Sequence, residues 1–222
     1  IQAAVAAVAE AAAENAQLRA LLQFEDTTTI RRVVGRVVAK DITEQSNLLT
    51  IDVGERDSVE IGMPVINERG IVGRVILTND RYAVVMPHQN TQFRVPASIE
   101  ELGREGVVRW DGASFDKLTM EYVVKTEPVE RGMLVVTSPF SGVFPAGIPV
   151  GRVDTAYAAA GRNDYVIQLE PAAPISEVGY VYVLLTRPDP EQAILEAQAR
   201  DSLGIERATS ALDAQLEAAT EE

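Results

Sequence analysis

Cysteine is absent from this chain of 222 residues, and histidine occurs once. The first absence removes disulfides, thiolate nucleophiles and cysteine-ligated zinc or iron–sulfur sites. Aromatic residues make up only 5%, so any core has to be built from Val, Ile, Leu and Ala. No window holds 18 consecutive apolar residues, so the sequence carries no pattern for a membrane-spanning helix. Positive charge is scarce too: 20 Lys and Arg against 33 Asp and Glu leave a net charge of −13. A surface of that sign does not neutralise phosphates, which argues against a nucleic-acid binder, and anionic lipid heads repel it.

What is present begins with an alanine-rich segment. Residues 1–24 contain no Gly or Pro, and Ile1, Val5, Val8, Ala12, Leu18 and Leu22 recur at heptad-like spacing, interrupted at Asn15. The pattern predicts a coiled-coil helix over 1–28, with Val5, Val8, Leu18 and Leu22 as its seam. A short alanine-rich helix is marginal alone, so a partner copy is expected. The chain opens on Ile1 in mid-pattern and reads as the trimmed part of a longer protein, with any membrane anchor upstream. At the other end, Arg187-Pro188-Asp189-Pro190 stops the regular pattern. Residues 189–222 then carry nine acidic and two basic side chains. Residues 188–222 are therefore expected to be an acidic tail, mobile or weakly helical.

Between these ends, short apolar runs punctuated by Gly, Pro, Asn and Asp predict strands. They fall near 33–39, 48–53, 63–67, 71–77, 83–87 and 93–97. A second set falls near 107–110, 118–124, 133–137, 148–157, 164–170 and 181–186. No helix-length pattern lies between them, which argues against a parallel α/β fold. The two sets are copies. LTIDVGERDSVEIGMPV at 49–65 aligns with LTMEYVVKTEPVERGMLV at 118–135, sharing V-E-x-G-M-x-V around Gly62 and Gly132. VGRV recurs at 34–37, 72–75 and 150–153, the last two containing Gly73 and Gly151. A mainly β fold follows: two small six-stranded barrels, 29–102 and 103–187, closed so that no strand edge is left open. Whether strands stay within their own copy or are lent to the other is open at this level.

A pair of six-stranded barrels is also the architecture of chymotrypsin-like proteases, and the order His88, Asp111 or Asp116, then Ser138 or Ser141 is the order of their triad. The chemistry fails in TSPFSGVFPAGIPVGRV at 137–153. An oxyanion hole needs backbone N–H groups at the serine and two residues before it. For Ser141 that second residue is Pro139, which has no N–H; for Ser138 it is Val136, inside a predicted strand. His88 then reads as a loop residue of the Pro87-His88-Gln89-Asn90 turn. A phosphate cradle needs glycines leading into a helix, whereas these lead into a strand. One His and no Cys leave too few ligands for a transition-metal site. The stretch is therefore a barrel corner. Gly142 and Gly147 allow positive φ, Phe144 plugs the barrel end, and Pro145 and Pro149 restrict the strand edge. Gly73 and Gly151 admit close approach of a neighbouring strand, and Arg152 points outward.

ENAQLRALL at 14–22, IDVGERDSVEIGMPVINERGIVGRV at 51–75, VTSPFSGVFPAGIPVGRV at 136–153 and LEPAAPISEVGYVYVLL at 169–185 resemble the MreC family of bacterial rod-shape-determining proteins. The family usually has glycine where this chain has Ser58 and Pro139. The resemblance implies a periplasmic scaffold held to the inner membrane by an N-terminal helix, without enzymatic activity or cofactor. It implies self-association and partners in the elongation machinery: an elongation-specific penicillin-binding transpeptidase, RodA, MreD and the actin-like MreB. Trp110, Phe115 and Tyr122, near the junction of the copies, are candidate partner contacts. The alternative is a periplasmic adaptor of an efflux or secretion pump, which also joins a coiled coil to β-barrels.

Overall fold

A computed structural model describes residues 30–42, 46–125, 128–158 and 164–186, together with Leu195 and Gln198. The heptad seam and most of the acidic segment lie outside the described residues. Among the described residues twelve strands follow one another: β1 (Arg32–Asp41), β2 (Leu48–Ile51), β3 (Pro64–Ile66), β4 (Ile71–Thr78), β5 (Ala83–Pro87), β6 (Arg94–Ile99), β7 (Arg104–Arg109), β8 (Leu118–Val124), β9 (Leu134–Thr137), β10 (Pro149–Ala158), β11 (Asp164–Pro171) and β12 (Tyr180–Leu184). They close into two antiparallel barrels, one in the order β1-β12-β3-β4-β5-β2 and the other β10-β11-β8-β7-β6-β9.

The two orders are the same once β1–β5 are matched with β7–β11 and β12 with β6. Each copy thus keeps five strands and lends its sixth. β6 pairs with β7 and β9 in the second barrel, and β12 pairs with β1 and β3 in the first. The copies read at 29–102 and 103–187 are units of sequence; the barrels interleave them.

Period-two alternation builds both cores. In β12, Val181 and Val183 are fully buried while Tyr180 and Tyr182 face outward. Burying each such valine is worth roughly 1.5–3 kcal/mol. Phe144 lies in the second core with its ring edge toward Phe93, centroids 6.2 Å apart. The matched glycines show why no side chain is present. Gly73 faces Pro87 and Gly151 faces Pro171 across their ladders. A Cβ at Gly73 would fall on the Met86 carbonyl oxygen and 2.7 Å from Pro87 Cα; one at Gly151 would fall on the Glu170 carbonyl. Immediately after these prolines the chain leaves each barrel.

The two departures, 88–93 and 172–179, clasp each other. His88 N donates to Val72 O (2.8 Å), and its counterpart Ala172 N donates to Val150 O (3.0 Å). The His88 Nε2 donates to Ala173 O (2.9 Å), and Ile175 N donates to Gln89 Oε1 (3.0 Å). Asn47 and Asn90 extend the network, Asn90 Nδ2 donating to Asn47 O (3.0 Å). His88, Gln89, Asn47 and Asn90 are all buried. His88 does lie in the turn after Pro87, as read from the sequence, but the turn is buried. It lies at the crossing of two strand exchanges, where backbone groups leaving a ladder need partners away from water.

Candidate interaction surface

The groups in protease order are occupied structurally. Ser138 is buried, and its Oγ accepts from Phe140 N (3.1 Å), capping a 3-10 turn over Pro139–Ser141. Pro139 suits the first position of that turn, where its missing N–H costs nothing. The Ser138 N–H donates to Pro96 O (3.1 Å), so it is not a free oxyanion donor. Ser141 Oγ accepts from Phe144 N (3.0 Å), and Asp111 Oδ1 from Ala113 N (2.9 Å). The imidazole of His88 is spent on a carbonyl acceptor, which fixes the proton on Nε2; burial pushes its pKa down to about 4, against the bond to Ala173 that favours the charged form. Among the described residues no group of His, Asp and Glu is placed to hold a metal ion.

The functional side chains are therefore sought on the outside. Trp110 is not among them. It is 1% exposed, in the core of the second barrel, with Nε1 donating to Ser114 O (2.7 Å). Phe115 covers it, ring centroids 5.1 Å apart, and is half-exposed. A residue at the end of β7 that alternates inward fills the barrel mouth, which corrects its reading as a surface contact.

Tyr122 is outside, 63% exposed, with φ +68. A bulky residue in the left-handed region is uncommon and strained. The cause is a bulge: β8 and β11 pair as Ile167↔Met120 and then Tyr165↔Val123, leaving Glu121 and Tyr122 against one residue. The bulge re-aims Tyr122 away from the barrel. Val124 and Tyr157 are also exposed, and Tyr157 stands opposite Val166 on β11. Beside them, Arg109 and Glu121 form a two-pronged ion pair, 3.0 Å on both arms, and the carboxylate raises the guanidinium pKa above its ordinary value. Ser58 also takes a left-handed conformation, φ +66, at the end of a 3-10 turn. Gly62 and Gly132 both sit at φ +92 and donate to Val75 O and Val153 O, one in each barrel.

A second exposed face was not singled out in the sequence. Val34 pairs with Tyr182, and Tyr182 with Ile66, making one row across β1, β12 and β3. Tyr180 stands opposite Arg36, and Arg32 lies over the Tyr182 ring, 4.9 Å from its centroid. The alternation Arg32-Val33-Val34-Gly35-Arg36 and Tyr180-Val181-Tyr182 carried that signal; the pairing of β1 with β12 did not show in it.

With these surfaces defined, the chain was compared with known proteins. It is 31% identical over 172 residues to the cell shape-determining protein MreC of Caulobacter vibrioides, an alignment covering 78% of this chain and 47% of that protein. The chain thus spans about half the length of this curated relative. Its fold superposes on the crystal structure of MreC from Pseudomonas aeruginosa with a TM-score of 0.66 at 27% identity, covering 69% of this chain and 99% of that one. It is also similar in fold, at 13% identity and a TM-score of 0.57, to a chain in the complex between penicillin-binding protein PBP2 and MreC from Helicobacter pylori, covering 72% of this chain and 100% of that one. The family model described as "Rod shape-determining protein MreC, barrel core" matches residues 37–185, which takes in the exchanged strands β6 and β12 and the face around Tyr122: the chain belongs to the MreC family.

Proposed function

We propose that these barrels are the periplasmic part of a non-enzymatic scaffold for cell elongation, and that they hold a penicillin-binding transpeptidase on the face around Tyr122. The carrying observation is the bulge in β8. It holds an exposed aromatic ring in a strained backbone conformation, beside exposed Val124 and Tyr157. Exposed aromatic anchors on a rigid element are the usual centres of protein interfaces. The likeness to the Helicobacter pylori complex supports a partner of this class. RodA, MreD, MreB and further copies of the chain complete the proposed assembly, with an inner-membrane anchor upstream of the barrels.

The experiment is a calorimetric titration of the barrels with the ectodomain of the elongation transpeptidase from the same bacterium. Tyr122→Gly and Tyr157→Ala are each expected to weaken binding about tenfold, the ~1.4 kcal/mol expected of an anchor. Gly suits the left-handed backbone, so the first change removes the ring without unfolding the strand. Undiminished affinity in both variants refutes the placement.

A further inference from the structure

We infer that the transpeptidase proposed for the face around Tyr122 binds by adding an extended segment of its own chain to the open edge of β10 at Thr155–Ala158. The inference deepens that reading and rests on it. The second barrel carries more strand than its closure needs, and the matched hairpin of the first barrel shows how much. In both copies the strand bulges at the end of VGRV, between Val75 and Leu77 in β4 and between Val153 and Thr155 in β10. Past the bulge β4 makes only the pairs Leu77↔Val84 and Thr78↔Ala83 with β5, then turns back, Asn79 N donating to Tyr82 O (2.9 Å). β10 goes on pairing with β11 from Thr155↔Gln168 to Ala158↔Tyr165. On its other side β9 does not follow. The last bonds there are Val153 N to Met133 O (2.9 Å) and Gly132 N to Val153 O (2.7 Å). Among the described residues no backbone bond reaches the free side of Thr155–Ala158. Successive residues of an antiparallel strand aim their N–H and C=O groups to alternate sides, so half of these groups point away from β11.

Strand edges that must stay unpaired are blunted by lysine, proline or a bulge. Thr155-Ala156-Tyr157-Ala158 has no charge, no proline and no break in its register. β8, on the far side of β11, shows the contrast. It too outruns its neighbour, since β7 pairs with it no further than Glu121, but its edge is broken by the bulge at Tyr122. One edge is guarded and the other is left available. Alternating free N–H and C=O groups are matched by the backbone of an extended strand. Tyr157 stands opposite Val166, and Val166 against the bulged Glu121 and Tyr122, in one row across β10, β11 and β8. An added strand extends that row by one side chain beside Tyr157, and an apolar or aromatic residue makes the favoured cross-strand pair there. A second copy would bring a net charge of −13 to the same edge, which opposes that alternative.

The test is amide hydrogen exchange of the full chain, read residue by residue, with and without the transpeptidase ectodomain. In the free chain the amides of Thr155–Ala158 bonded to β11 exchange slowly and the alternate ones fast. The complex is expected to slow the fast ones about tenfold or more. Thr155→Pro or Ala156→Pro, whichever replaces a fast amide, removes an outward donor and spares the ladder with β11. It is expected to raise the dissociation constant of the complex about tenfold, with the β circular dichroism unchanged. If the ectodomain binds and Tyr122→Gly weakens it while the fast amides stay fast, the face is right and strand addition is wrong. Slowed amides with undiminished affinity of the proline variant mean that the edge is covered without being paired, which also overturns the inference. If the fast amides slow as the chain alone is concentrated, the occupant is a second copy and the assignment is wrong. If the ectodomain does not bind at all, the proposed function fails and strand addition falls with it.

Discussion

Acid should weaken this fold through a single imidazole. His88 is buried at the crossing of the two strand exchanges, with Nε2 donating to Ala173 O and Nδ1 lacking a hydrogen-bond partner among the described residues. A second proton would place a charge and an unpaired N–H in the interior, which is why its pKa is pushed down to about 4. In the unfolded chain the same group titrates near 6.5. Between those values the unfolded chain binds a proton that the folded chain refuses, so stability falls as pH falls. The full contribution is present above about pH 6.5 and is lost progressively toward pH 4. At 1.36 kcal/mol per pH unit the loss is about 2 kcal/mol at pH 5 and about 3 kcal/mol at pH 4. Against a typical total of roughly 5–15 kcal/mol that is a large share. Carboxylates titrate in the same range, so the measurement is a difference. Urea unfolding of the wild-type chain and of His88→Gln is followed at pH 7.5, 6, 5 and 4.5. Glutamine keeps a donor for Ala173 O and cannot be protonated. The wild-type chain should lose about 2 kcal/mol more than the variant between pH 7.5 and 5. Parallel pH profiles would refute the reasoning.

Three further outcomes are expected. Gly73→Ala and Gly151→Ala place a Cβ against a backbone carbonyl that cannot swing aside; each should cost about 3 kcal/mol or more in thermal melts. Arg152→Gln should cost about 1 kcal/mol or less, because it removes only an exposed bond from Nη1 to Gly132 O; if the arginine change is the worse of the two, the packing account fails. Cutting the chain between residues 102 and 103 leaves both barrels one strand short, so neither fragment should fold alone, and co-expressed fragments should purify together with the β circular dichroism of the whole.

The twelve strands were legible because Gly, Pro, Asn and Asp mark where each ends, and because Val and Ile alternate within them. The exchange of β6 and β12 was not. Alternation tells which side of a strand faces a core; Val95 and Val181 look alike whichever barrel receives them. Trp110 misled for a related reason: an aromatic at a strand end suits a barrel mouth and a partner surface equally, and only the ladder direction decides. The importance of His88-Gln89-Asn90 was hidden because polar residues after a proline are also what a solvated turn contains. Tyr122 was picked out for its ring, but the bulge that exposes it depends on a one-residue mismatch with β11 that neither strand shows alone.

The exchange of sixth strands has a historical reading. Two copies related by a pseudo-two-fold, each completing the other, are what a homodimer of half-length chains looks like after fusion into one gene. The fusion point is the short turn between Ile99 and Arg104, where β6 of one copy runs straight into β7 of the next. Its symmetry mate is the pairing of β12 with β1, Arg32 opposite Leu184 and Leu185 N donating to Arg31 O. That second site is the same junction left unjoined. A circularly permuted chain, with Leu185 linked to Ile30 and new ends opened between Glu100 and Gly103, should keep every strand pairing. Its ends would then leave from the opposite copy, and any segment attached there would leave from the second barrel rather than the first.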